Sequence, residues 1–157
     1  MSRALSVIQG PERAAHMLGG PIHIEVDGIK YEAPVIGSEA IKQHVIDKLR
    51  VEWDFEGCDK QANERALNGF SRERWSLEVI PLDSVLLDPR VMNLPHFAKD
   101  AAERIAYQVR KLDQGVAIEP IVMEYVKGIS DLGDGYHRVM ALRRKGKKYV
   151  LAYVGRD

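Results

Sequence analysis

The chain of 157 residues has a single cysteine, Cys58, which excludes an intrachain disulfide and fits a reducing compartment. It has no surplus of either charge. Twenty-three Lys and Arg balance 23 Asp and Glu, so no global electrostatic pull towards nucleic acid or membrane exists, although local patches survive such a sum. No apolar run approaches the ~18 residues of a membrane span. The opening residues, Met1 to Leu5, are not followed by a signal-peptide core, so a cytoplasmic location is expected. His16, His23 and His44 are scattered, and neither HxH nor HExxH spacing occurs, which argues against a histidine metal site. Repeats and low-complexity tracts are absent too. What remains, 45% hydrophobic and 29% charged residues, is an ordinary globular composition for one domain, or one domain with an extension.

Residues 3–18 carry a loose apolar face for a short helix, interrupted by Gly10-Pro11. Ile22, Ile24 and Val26 alternate with polar residues, Asp27-Gly28 follows, and Ile29, Tyr31 and Ala33 alternate again; this predicts a hairpin. Ser38 is the expected N-cap of a helix to about Arg50, on which Ile41, Val45 and Leu49 repeat every four residues. Trp53 and Phe55 are expected to pack back on this unit, and residues 56–74 to connect, with a short helix near Gln61–Leu67. A boundary near Ser71–Trp75 would divide an extension, 1–75, from a second unit, 76–157.

That second unit has sharper signals. A strand, Leu77–Ile80, ends at Pro81; Val85-Leu86-Leu87 is a further apolar patch before Asp88-Pro89. Pro95 precedes one long helix, His96 to Gln114, with Phe97, Ala101, Ile105, Val109 and Leu112 on a face and Gly115 past its end. Strands at Pro120–Val126 and Ile129–Leu132, a helix from about Val139 to Lys145 and a last strand at Tyr149–Val154 complete the order.

Between the last strand pair and the basic helix stands Gly133-Asp134-Gly135-Tyr136-His137-Arg138. Two glycines permit a tight turn and close approach of backbone to a ligand. The next helix directs unpaired N–H groups and its positive dipole end at whatever lies above that turn. His137 and Arg138 add donors of the kind that hold phosphate. The stretch outlines an anion site.

The run Ile80 to Arg90, the helix closed by Gly115, Glu119-Pro120-Ile121-Val122 and the glycine turn with its basic helix resemble the ParB/sulfiredoxin-like superfamily, over roughly residues 76–155. The resemblance implies an α+β fold: a mixed sheet with flanking helices, here with an N-terminal β-hairpin and helix extension. It also implies a nucleotide, ATP or CTP, whose phosphates lie on Gly133, Gly135, Tyr136, His137 and Arg138, with Asp88 and Arg90 near it. Partitioning proteins of the family read Gly-Glu-Arg-Arg at the turn and continue into a DNA-binding domain. Here the turn reads Gly135-Tyr136-His137-Arg138 and the chain ends at Asp157, so a sliding clamp is not expected. Sulfiredoxins place their reactive cysteine where Tyr136 stands, so that chemistry is not expected either. The Asp-Gly-x-His-Arg form looks most like kinase-like and uncharacterised stand-alone members.

The expectation is therefore a nucleotide-dependent phosphotransferase or triphosphatase in which Mg²⁺ bridges the phosphates. His137 is a candidate acid/base, and Asp134 or Glu119 would handle the proton. A competing reading is a DNA-binding or nuclease protein of the ParB-like kind, using the basic run Arg143, Arg144, Lys145, Lys147 and Lys148. A third is a protein-interaction scaffold with a degenerate nucleotide site. No membrane partner is expected; a homodimer is a further candidate assembly.

Overall fold

A computed structural model describes residues 6–7, 20–55, 57–69 and 74–156. The alternating segments after Pro21 form the expected hairpin, β2 (Ile22–Val26) and β3 (Ile29–Ala33), paired from Ile22↔Ala33 to Val26↔Ile29. Asp27 and Gly28 both adopt positive φ, 53° and 76°, as a two-residue turn matched to strand twist demands. The Asp27 carboxylate also accepts from the Lys148 backbone N–H at 2.7 Å, tying the hairpin tip to the main sheet.

That sheet has four long strands: β4 (Arg74–Pro81), β5 (Ile121–Val126), β6 (Ile129–Asp134) and β7 (Tyr149–Arg156). A two-residue strand, β1 (Ser6–Val7), lies at its edge, giving the order β1-β4-β7-β5-β6. β7 runs antiparallel to β4 and parallel to β5, so the sheet is mixed. β1 is the described part of the stretch expected to be helical; the rest of 3–18 lies outside the described residues. Val150 to Val154 are buried at every position, as a strand covered on both faces must be.

Six α-helices flank the sheets among the described residues: α1 (Ser38–Glu52), α2 (Lys60–Gly69), α3 (Pro89–Met92), α4 (Pro95–Lys99), α5 (Ala101–Asp113) and α6 (Tyr136–Arg144). The fold is thus α+β, with the expected hairpin separate from a mixed sheet. Ile41, Val45 and Leu49 bury one side of α1. One apolar cluster continues from Ile22 through these residues to Val154, joining both halves of the chain. Fully burying each such side chain contributes about 1.5–3 kcal/mol.

Two local expectations are corrected. Gly37, not Ser38, occupies the N-cap of α1, with φ 93°, and the Ser38 hydroxyl instead accepts from the Trp75 backbone N–H at 3.0 Å. That bond stitches α1 to β4. The single helix expected from His96 to Gln114 breaks at Asp100, whose φ and ψ, −115° and 12°, leave the helical region. Aspartate is a weak helix former, and the Asp100 carbonyl accepts from the Arg104 N–H at 2.9 Å to begin α5. The apolar patch at 85–87 faces two ways: Val85 is buried and Leu86 exposed.

Candidate functional site

The glycine turn opens onto a cleft of about 670 Å³ between α1, α4, α5 and the start of α6. Gly133, Asp134, Gly135, Tyr136, His137, Arg138 and Glu119 all line it, so the turn and the carboxylate before β5 come together as the sequence pattern anticipated. Asp88 and Arg90 are not in that lining. Asp88 caps α3, accepting from the Arg90 backbone N–H at 2.9 Å, and Arg90 is 91% exposed.

Gly135 is at the N-cap of α6 with φ 115°. A Cβ there would meet Ile121 Cγ2 at 2.6 Å, so conformation and packing both require glycine. The N–H groups of Tyr136, His137 and Arg138, in the first turn, have no helical acceptor.

Arg138 does not extend its guanidinium freely into the cleft. One terminal nitrogen donates to the carbonyls of Glu119, 2.7 Å, and Pro120, 3.1 Å. The other donates to Asp134 Oδ2 at 2.6 Å, both side chains being nearly buried at 11% and 13% exposure. Lys48, from α1, adds a second cation 3.6 Å from Asp134 and forms an ion pair with Glu119. Burial raises the Glu119 carboxyl, but the Lys48 hydrogen bond and charge outweigh it and leave the group below its ordinary value. Four charges from α1, the β5 approach, β6 and α6 thus form one frame behind the turn.

His137 is stacked on Phe97 with ring centres 4.5 Å apart and planes at 15°. Phe97 meets Tyr136 edge-on at 5.6 Å. The break at Asp100 therefore places an aromatic of α4 beneath the first turn of α6. Burial, then the Arg104 charge, lowers the His137 pKa, so the imidazole is neutral near pH 7. Its Nε2 is shielded from solvent and has no hydrogen-bond partner among the described residues. An unpaired buried polar atom of this kind costs about 1–3 kcal/mol.

Several lining residues escape the motif-based reading. Lys48 and Glu52 stand one turn apart on α1, and Arg104, Tyr107, Gln108 and Lys111 form a stripe on α5. The i, i+3, i+4, i+7 spacing of that stripe is legible in the sequence, but no motif marks it as a site. Neither Arg104 nor Lys111 has a carboxylate within ion-pair distance among the described residues, although both line the cleft. Burial, then the neighbouring Asp134 charge, pushes the Glu52 carboxyl above its ordinary value.

The basic run is not one free surface. Arg143 donates to the Val85 carbonyl at 2.5 Å, and Lys145 is paired with Asp113 at 2.5 Å. Lys147 sits beside the hairpin turn at Gly28. Among the described residues, no three His, Cys, Asp or Glu side chains converge as metal ligands, and no helix is long and apolar enough to cross a membrane.

No family model matches the chain, and no curated protein or solved structure matches it.

Proposed function

We propose that the cleft binds a nucleotide, ATP or CTP, with its terminal phosphates against the first turn of α6, and transfers or hydrolyses the terminal group. The observation that carries this reading is the opening of that turn, at a positive-φ glycine, onto a cleft that also receives Arg104. Free N–H groups, the helix dipole and a guanidinium then act on the same anion. Aromatic faces at Trp53 and Tyr107 in the same cleft suit a planar base. The order of β4, helices, β5, β6, glycine turn, α6 and β7 supports a ParB/sulfiredoxin-like fold as part of the same proposal.

Roles differ from those the motif implies. Arg138 and Asp134 hold the turn in shape, since each already spends its charge on the other. Glu119 is likewise neutralised by Lys48. Glu52, facing the cleft with no ion-pair partner among the described residues, is the better proton acceptor for a hydroxyl or water, because its raised pKa lies closer to working pH. Mg²⁺, if bound with the nucleotide, would neutralise phosphate charge; Glu119 and Asp134, paired with Lys48 and Arg138, are less able to hold it than Glu52.

The test is calorimetric titration with ATP and CTP, each with Mg²⁺. Binding to the wild-type chain, lost in the double variant Arg104→Gln, His137→Ala that retains its melting temperature, is the expected result. No binding of either nucleotide would overturn the proposal.

A further inference from the structure

The stripe on α5 bears on what else the ligand carries, and this inference rests on the phosphate reading above. Arg104 and Lys111 lie seven residues apart on one face, about 10 Å along the helix axis. Both line the cleft, and neither is ion-paired with a described carboxylate. Arg104 is the end near the α6 mouth, since its charge acts on His137. Lys111 is the far end, with its ammonium 5.6 Å from the Tyr107 ring centre. Between them stand Tyr107, 53% exposed, and Gln108, whose Oε1 is shielded from solvent and has no donor among the described residues.

Four carboxylates share the cleft: Glu32, Glu52, Glu119 and Asp134. The last two are neutralised by Lys48 and Arg138, Glu52 belongs to the α1 wall, and Glu32, on β3, makes no ion pair with Lys111. An ammonium that lines the cleft without a carboxylate partner among the described residues is placed to meet an anion. We propose that the ligand is doubly anionic: a phosphate at the α6 mouth beside Arg104, and a second anionic group about 10 Å along α5 at Lys111. The intervening part crosses Tyr107 and Gln108, so it combines an apolar or planar face with a polar edge.

The probes are hexane-1,6-diyl bisphosphate, whose two phosphates match this span, and hexyl phosphate, which keeps only one. Both are titrated calorimetrically into the full chain and into Lys111→Gln, Lys111→Arg and Arg104→Gln. On the wild type the bisphosphate should bind about ten-fold tighter or more, as one extra charge-assisted contact implies. Lys111→Gln should erase that advantage while leaving hexyl phosphate unchanged, Lys111→Arg should keep it, and Arg104→Gln should weaken both probes. Equal affinities on the wild type, or an advantage that survives Lys111→Gln, overturn the second-anion proposal while the phosphate reading stands. Binding of neither probe overturns both.

Discussion

The two walls of the cleft carry similar side chains and use them differently. On one wall Arg138, Asp134, Lys48 and Glu119 are locked to one another and to the carbonyls of Glu119 and Pro120. On the other, Arg104 and Lys111 present charge along α5 without an ion-pair partner among the described residues. The contrast teaches that a motif arginine beside a glycine turn can be structural, while an unremarked arginine on the facing helix is free for a ligand. Paired charges stabilise shape, and unpaired ones remain available to bind.

The comparison is broken most severely at the frame. Arg138→Ala leaves Asp134 nearly buried with only Lys48 for company, so a loss of about 3 kcal/mol is expected in urea unfolding. Gly135→Ala should cost about 2–4 kcal/mol, because it combines an unfavourable φ with a clash against Ile121. Arg138→Ala should weaken ligand binding only through the fold. Lys48→Met, which breaks a more exposed pair, should cost at most about 1 kcal/mol. The Glu119 carboxyl is depressed, so its contribution is present above the ordinary glutamate pKa of about 4.3 and disappears as pH falls through the lower folded value. The difference between wild type and Lys48→Met should accordingly shrink in acid.

A finer effect concerns His137. Its pKa is lowered on folding, so the unfolded chain takes up the proton more readily and stability falls as pH drops below about 6.5. His137→Gln should flatten that slope; His44, also depressed by burial, leaves a residual one. The smallest change in stability is expected at Arg104→Gln, within about 0.5 kcal/mol of wild type, because its side chain makes no ion pair among the described residues.

Much of this architecture is legible in the residues alone. The alternation around Asp27-Gly28, the four-residue repeat of α1 and the glycine turn before α6 each announce their element through local chemistry. The break at Asp100 is not, since Phe97 and Ile105 keep a continuous helical spacing across it. The cap at Gly37 was hidden because Ser38 is the better side-chain acceptor locally, but its hydroxyl is taken by Trp75, a contact distant in sequence. Nor does the sequence show that Arg138 is already engaged: its acceptors at Glu119 and Pro120 lie on another element. Contacts between distant segments decide which charges are spent, and no spacing rule reports them.

The central claim is that the charges free to bind lie on α5 rather than in the frame behind the turn. Parallel calorimetric titrations of ATP with Mg²⁺ into wild type and Arg104→Gln test it most directly. Binding that weakens about ten-fold or more in the variant, with an unchanged unfolding midpoint, is what this account expects. Undiminished affinity in Arg104→Gln, or no heat from the wild-type chain, would contradict it.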